Sequence, residues 1–146
     1  MSKPLSAEDV ARRSAATMWA SDAASRALGM QVVAVTPGRA TLTMHVREDM
    51  VNGHAIGHGG FTFTLADSAF AFACNSYDRR TVAAGAEIRF RAPTHLGDVL
   101  TATATERSRE GRSGVYDVEV TASGSGGATV VATFVGHSRE IGGSFA

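Results

Sequence analysis

The stretch of sequence that decides the fold runs from Gly59 to Cys74 and reads GGFTFTLADSAFAFAC. Its apolar residues fall on nearly every side of a helix, whereas a helix on a protein surface carries them on one side only. Four of the seven phenylalanines of the chain lie in this stretch. The pattern therefore predicts a helix that is enclosed by other structure and forms the centre of the core.

Six segments around this helix have the residue alternation of β-strands. In the second of them Ala40, Leu42, Met44 and Val46 alternate with polar residues, which is typical of a half-buried antiparallel strand. The predicted strands are residues 30–36, 39–47, 81–91, 98–107, 114–123 and 128–139, with a loop at 48–57 and turns at 37–38, 93–97, 110–112 and 124–127. A curved antiparallel sheet around one long helix is the simplest arrangement that buries the helix, so the predicted fold class is α+β.

A second helix is predicted at residues 6–28, at the periphery of the domain. Ser6 is a suitable N-cap, and Glu8 and Asp9 place negative charge in the first turn, where the helix dipole favours it. Gly29 would end the helix. Because its apolar stripe is weak, we expect this helix to pack beside the core rather than within it.

Length and composition indicate one domain, residues 1–146, without the features of a nucleic-acid or membrane partner. The 14 basic and 14 acidic side chains cancel, so no long-range field favours a polyanion. Cys74 is the only cysteine, which excludes a disulfide framework. Charged residues among the first twenty positions interrupt any apolar segment suited to a signal peptide, so we expect a cytoplasmic protein.

Asp67 is the one acidic side chain within the apolar stretch. Moving a carboxylate out of water is costly unless the group is paired or hydrogen-bonded. An unpaired carboxylate in such surroundings has a raised pKa and is suited to proton transfer. The residues alone leave two alternatives open, a catalytic carboxylate or a structural one that caps a helix or pairs with an arginine.

The beginning of the same helix carries His58, Gly59 and Gly60. Two residues without side chains leave the first backbone N–H groups accessible, and such groups can hold an oxyanion or polarise a carbonyl, although a flexible turn is the other interpretation. Asp67 follows Gly60 by seven residues, or about 10 Å along a helix. Either the two groups act separately, or a second copy of the chain brings its Asp67 to this Gly59.

The loop before the helix holds three further polar candidates. Asn52 reaches the beginning of the helix if the loop folds back, although asparagine beside glycine is also a turn former. His54 and His58 have the i, i+4 spacing of a metal pair on a helix, but the glycines between and after them disfavour a helix there. With no third ligand evident, we expect no metal site.

Cys74 has no histidine near it in the sequence and is expected to pack in the core.

These residues resemble the hotdog-fold acyl-CoA thioesterases, in particular those of the PaaI type of phenylacetate degradation. The resemblance rests on NGHAIGHGG at 52–60, on FTFTLAD at 61–67 and on AFACNS at 71–76. It extends through residues 100–104, 114–120 and 141–143, and covers most of the chain from about residue 27 onward.

The resemblance implies a long helix inside a curved sheet, with two chains paired edge to edge and each active site shared between them. It implies that the Gly59 amide polarises a thioester carbonyl, and that His58 and Asn52 orient that carbonyl or a water molecule. Asp67 of the opposite chain would be the general base or a nucleophile. The implied substrate is phenylacetyl-CoA or a ring-hydroxylated relative, the implied assembly a dimer or a homotetramer, and no cofactor is needed because coenzyme A is part of the substrate.

Substrate-binding candidates are Gly60 and three arginines, Arg89, Arg91 and Arg139, whose forked donors suit phosphates. Two positions depart from the family. Members often carry a hydroxyl on the strand after the helix, where residues 83–86 of this chain are alanine and glycine only. The segment at 138–140 is also less basic than in the family.

Two alternative functions remain at this level. Hotdog (R)-specific enoyl-CoA hydratases use an Asp and a His five residues apart, and Asp49 and His54 have this separation, but the Asn-Pro inside that motif is missing here. A non-catalytic acyl-CoA-binding module is the second alternative. Such a module would have no use for a buried carboxylate, so a comparison of thiol release by the parent chain and an Asp67→Ala variant separates the two.

Overall fold

Two N-terminal helices, a six-stranded sheet and a central helix make up the fold in a computed structural model that describes residues 3–124 and 127–145. The sheet is antiparallel throughout, with the strand order β1-β2-β4-β5-β6-β3. The elements are α1 (Ala7–Ser21), α2 (Ala23–Ala27), β1 (Gln31–Thr36), β2 (Arg39–His45), α3 (Gly59–Cys74), β3 (Thr81–Phe90), β4 (Val99–Glu110), β5 (Ser113–Gly124) and β6 (Gly127–Glu140). A 3-10 turn at Glu48–Met50 lies in the predicted loop.

The predicted α+β arrangement is confirmed, and α3 has the predicted bounds. The six predicted strands agree with the observed ones to within three residues at each end. The largest difference is in β4, where a bulge between Glu106 and Ser108 lets the strand continue to Glu110. Residues 125 and 126 of the predicted turn at 124–127 lie outside the described residues.

The core lies between α3 and the middle strands of the sheet. The predicted inner side of β2 is buried, and so are Tyr116, Val118 and Val120 of β5. Phe70 of α3 contacts Tyr116 and Phe134, with ring centroids 5.7 and 5.9 Å away. Gly136 makes this contact possible, because a Cβ there would lie 2.7 Å from the Phe70 ring.

The predicted single helix at 6–28 is wrong in one respect, because it is two helices that meet at Asp22. The Asp22 carboxylate accepts a hydrogen bond from the Ser25 N–H (3.0 Å) and another from the Ser25 hydroxyl (2.7 Å), and so caps α2. Short polar side chains compete with the helix for backbone donors in this way. Ser25 also shares a hydrogen bond of 2.8 Å with Ser68, which fixes α2 to the central helix.

The central helix is not enclosed on every side by its own chain. It packs chiefly on β2, β4 and β5, and leaves a stripe of incompletely buried positions formed by Gly60, Thr64, Asp67 and Ala71. The stripe follows the i, i+4, i+7 spacing of one helix side. The edge strand β3 is also largely exposed, because it pairs only with β6.

In the described part of the chain, no helix is both long enough and apolar enough to cross a lipid bilayer.

Candidate active site

The loop before α3 is closed by hydrogen bonds to one side chain. Asn52 Oδ1 accepts from the backbone N–H of His54 (2.9 Å) and from that of Ile56 (3.2 Å), and the Asn52 N–H donates to the Ile56 carbonyl (2.8 Å). Asn52 is thus a turn former, which was one of the two roles that the sequence suggested for it. Its Nδ2 has no acceptor within residues 3–124 and 127–145, so this amide group remains available to a ligand.

The beginning of α3 has free backbone donors. His58 is the N-cap, but its side chain is exposed and makes no capping hydrogen bond. The His58 N–H donates to the Met50 carbonyl (2.8 Å), and the His58 carbonyl accepts from Phe61 (3.1 Å). The N–H groups of Gly59 and Gly60 have no acceptor among the described residues. Since the helix dipole adds partial positive charge at this end, the two amides can hold the oxygen of a carbonyl or an oxyanion.

A cleft of about 440 Å³ opens beside this helix end. It is bounded by α3 through Gly59 and Thr62, and by the end of β3 and the segment after it. The Phe90 ring lies directly on Gly59, with ring carbons 2.7 to 3.3 Å from the position that a Cβ of residue 59 would take. Glycine at position 59 allows this close approach and leaves the amide accessible, whereas a Cβ there would displace the end of the exposed Phe90 ring.

Asp67 is half-buried on the incompletely covered stripe of α3. Burial raises the pKa of its carboxyl above the ordinary value of 3.8. The carboxylate makes no hydrogen bond or ion pair with any residue that the structure describes. The structural alternative, an arginine partner or a helix cap, is therefore not found within the described part of this chain.

Asp67 and the free amides lie on one helix but too far apart for one reacting carbonyl. The rise along the helix from Gly60 to Asp67 is about 10 Å. Within a single chain the two groups therefore cannot polarise a carbonyl and activate the attacking water at the same time.

The three candidate arginines do not form one cluster in the single chain. Arg89 and Arg91 lie two residues apart at the end of β3 that reaches the cleft, and Arg91 Nε donates to Thr133 Oγ1 (3.2 Å). Arg139 instead pairs in register with Val82, at the other end of β3. Seven residues of strand separate Val82 from Arg89, which is about 23 Å.

The other candidate reactive side chains are either hydrogen-bonded to another residue or buried. Asp49, the acid of the hydratase alternative, forms two hydrogen bonds with the Arg47 guanidinium (3.0 and 3.1 Å). Cys74 is buried, and this burial raises the pKa of its thiol to about 12, which makes it a poor nucleophile. In the described residues, no three His, Cys, Asp or Glu side chains lie close enough together to hold a metal ion.

Sequence reasoning missed the position of Phe90. Its place in an alternating strand gave no sign that the ring covers Gly59, because that contact joins residues far apart in the chain. The hydroxyl of Thr64, which donates to the Gly60 carbonyl (2.8 Å) on the stripe that carries Asp67, was also missed.

Comparison with known proteins shows the family of this chain. The sequence profile of the Thioesterase superfamily matches residues 54–129, which include the beginning of α3, Asp67 and all of the cleft lining except Val131. The acyl-coenzyme A thioesterase PaaI of Escherichia coli (strain K12) is 42% identical over 132 residues, which are 90% of this chain and 92% of that protein. This chain therefore belongs to the thioesterase superfamily and has its hotdog fold.

Similar structures confirm the resemblance to the PaaI type. The structure of the E. coli PaaI protein from the phenylacetic acid degradation operon matches with a TM-score of 0.90 and 42% identity, over 95% of this chain and 99% of that one. A mutant of the phenylacetic acid degradation protein PaaI from Thermus thermophilus matches with a TM-score of 0.74 and 35% identity, over 80% of this chain and 97% of that one.

Proposed function

We propose that this thioesterase hydrolyses phenylacetyl-CoA, or a ring-hydroxylated relative, to the free acid and coenzyme A in sites shared between two copies of the chain. The observation that carries the proposal is the pair of unpartnered groups on α3, the free amides of Gly59 and Gly60 and the carboxylate of Asp67. The names of its PaaI relatives support acyl-CoA as the substrate class and phenylacetate degradation as its setting.

In the proposed reaction the thioester carbonyl oxygen accepts a hydrogen bond from the Gly59 N–H, while His58 and the free Nδ2 of Asn52 orient the carbonyl or the water. Asp67 of the second copy takes a proton from water, and the water oxygen bonds to the carbonyl carbon. The Gly59 amide stabilises the resulting oxyanion. When the carbon–sulfur bond breaks, coenzyme A leaves as the thiolate and takes up the proton that Asp67 held.

A second route has Asp67 as the nucleophile. Its carboxylate then attacks the carbonyl carbon, coenzyme A leaves, and water hydrolyses the mixed anhydride. A single turnover in H₂¹⁸O detects this route when water attacks the aspartyl carbon of the anhydride. The general-base route places the isotope in the released acid alone, whereas hydrolysis of the anhydride at the aspartyl carbon places it in Asp67.

The exposed edge of β3 is the proposed pairing surface, because this strand ends at the cleft and has a free hydrogen-bonding side. Two copies of β3 that pair antiparallel about its middle bring the Val82 end of one strand beside the Arg89 end of the other. Arg139 of the second copy then approaches Arg89 and Arg91, and the three guanidinium groups can bind the phosphates of coenzyme A. The complete assembly is this dimer or a tetramer of two dimers.

A test of the shared site uses two inactive variants that complement each other. Gly59→Pro removes the amide donor at the first helical position, where proline is tolerated, and Gly59→Ala is its control because it adds a Cβ but keeps the N–H. When Gly59→Pro and Asp67→Asn chains are refolded together in equal amounts, random pairing makes about a quarter of the sites intact, and this share of thiol release should return. If both groups act within one chain, no activity returns.

The substrate class is tested by thiol release from a panel of esters. Phenylacetyl-CoA and hydroxyphenylacetyl-CoA should be hydrolysed with higher kcat/KM than acetyl-CoA or hexanoyl-CoA. Loss of enoyl absorbance from crotonyl-CoA without thiol release would favour the hydratase alternative, and tight binding of all esters without turnover would favour the binding module.

A further inference from the structure

We propose that Phe90 is a specificity-determining residue, whose ring packs against the aryl part of the acyl group while the Gly59 amide holds the carbonyl. This inference rests on the proposed function. It assigns the cleft beside Gly59 to the acyl group, and leaves the nucleotide part of coenzyme A to the arginines.

The contact between Phe90 and Gly59 determines which part of a bound substrate lies beside the Phe90 ring. The nearest ring carbons lie 2.7, 2.9 and 3.3 Å from the ideal Cβ position of residue 59, so the end of the ring lies against the backbone that carries the free amide. A carbonyl oxygen that accepts from this amide brings its own substituents to the edge of the ring. The group closest to the carbonyl, the acyl methylene and what it bears, is therefore the part of the substrate that contacts Phe90.

The cleft that Gly59 and Phe90 both line has the chemistry of an acyl pocket. Phe90, Ala92, Pro93 and Val131 line it with apolar surface, and its only charged lining residue among those described is Arg91, whose Nε is bonded to Thr133. Its volume of about 440 Å³ lies in the range of small-molecule sites. A phenyl ring fits the apolar part of this cleft, and Arg91 keeps its two terminal NH2 groups for a phosphate of coenzyme A.

Within the single chain, the Phe90 ring also has uncovered surface for such a contact. Its side chain is 57% exposed, although phenylalanine is among the residues most often buried. The aromatic pairs in the described residues all involve other rings. Phe90 is the last residue of β3, at the end of the strand that reaches the cleft, so its ring is placed to contact a ligand there. An aromatic ring that meets it edge-to-face or offset gains more than an alkyl chain of the same area.

The test compares two esters across three variants. Phe90→Leu keeps the apolar bulk and removes the ring, and Phe90→Tyr keeps the ring. Val33→Leu is the control, because Val33 is similarly exposed (60%) on the opposite edge strand β1 and lies outside the cleft. For each variant, kcat/KM is measured with phenylacetyl-CoA and hexanoyl-CoA, together with the inhibition constant of free coenzyme A. Circular dichroism and gel filtration verify folding and assembly.

We expect Phe90→Leu to lower kcat/KM for phenylacetyl-CoA about fivefold, and to leave hexanoyl-CoA and coenzyme A inhibition within about twofold. Phe90→Tyr and Val33→Leu should keep the wild-type ratio of the two esters. An active wild type whose ratio is unchanged in Phe90→Leu, or a loss that is equal for both esters and for coenzyme A, overturns the assignment of Phe90 alone. A wild-type chain that releases no thiol from any ester overturns the proposed function, and this inference with it.

Discussion

The two ends of the central helix α3 differ in how completely their polar groups are satisfied. At its beginning the amides of Gly59 and Gly60 lack acceptors in the described structure, and His58 provides no side-chain cap. At its end Asn75 makes hydrogen bonds to the Ala71 carbonyl (2.9 Å) and to both the N–H (2.8 Å) and the carbonyl (3.0 Å) of Thr81.

The network at the end of the helix extends into the sheet. Ser76 donates to the Ala73 carbonyl (2.7 Å) and accepts from the Gly38 N–H (2.8 Å) in the β1–β2 turn. Tyr77 and Tyr116 both donate to one oxygen of Glu106, at 2.8 and 3.1 Å. Burial, together with this carboxylate, raises the pKa of both phenols, so they stay protonated as donors.

From this difference we infer that the end of α3 has a structural role, and that its beginning is available to bind a ligand. The first N–H groups of a helix have no intrahelical acceptor, so those of Gly59 and Gly60 can donate to a ligand without breaking a hydrogen bond of the fold. The satisfied end anchors α3 to the sheet and holds the other end, with Asp67, in a fixed position.

The largest effect should come from Asp67→Asn, which removes the proposed base but keeps the shape of the side chain. We expect kcat to fall about a thousandfold, the usual scale for a lost general base. Thiol release from phenylacetyl-CoA measures this, and gel filtration verifies that the variant assembles like the parent chain. Full turnover in a folded variant would show that Asp67 has no catalytic role.

The pH dependence follows from the raised pKa of Asp67. A general base acts when deprotonated, so kcat/KM should fall on the acid side with a pKa above 3.8. A carboxyl whose pKa is raised on folding binds protons more tightly in the folded chain, so its contribution to the free energy of unfolding decreases as pH rises through that pKa. Asp67→Asn should therefore be at least as stable as the parent at neutral pH, which thermal melts at several pH values can measure.

Two asparagines, one near each end of α3, test whether the two ends have different roles. Asn75→Ala should lower the free energy of unfolding by about 3 kcal/mol, since three hydrogen bonds of a buried residue are lost, and should leave kcat/KM of the folded fraction near that of the parent. Asn52→Ala, in the exposed loop, should cost only about 1 kcal/mol because water can replace its bonds, but should lower kcat/KM about tenfold through a lost orienting donor. The opposite pattern in melts and kinetics would reverse the roles assigned to the two ends.

A smaller effect is expected from Gly59→Ala, because its Cβ displaces the Phe90 ring but leaves the N–H in place. We expect kcat/KM for phenylacetyl-CoA to fall about fivefold, and by much less in a Phe90→Ala background, where the Cβ has room. Strictly additive losses in the double variant would mean that the two residues do not interact.

Gly60→Ala should have the smallest effect, a slight gain in the stability of the fold. A Cβ at position 60 meets nothing within 4 Å in this chain, and alanine is favoured over glycine in a helix by about 0.5–1 kcal/mol. The melting temperature should rise slightly. A fall would indicate that another surface, such as a second copy of the chain, packs closely on this part of the stripe.

Local sequence pattern predicted most of the fold. The apolar stretch of α3 and the alternation in β2 and β5 fixed the elements and their inner sides, because periodicity of 3.6 or 2 determines which side chains share a side. The glycine pair and the lone carboxylate also identified the candidate site from residue type alone. The break at Asp22 escaped prediction, since it depends on one side chain that competes with the helix for backbone donors.

The residues alone were enough to predict the central helix, the six strands and the chemistry that the beginning of α3 and Asp67 offer, because each of these depends on neighbours a few residues away. Tertiary structure alone decided that β3 lies at an open edge, that Arg139 lies far from Arg89 and Arg91, and that Phe90 covers Gly59. These are outcomes of strand order and long-range packing. They depend on which surfaces pair across the whole chain, and no local period in the sequence records that choice.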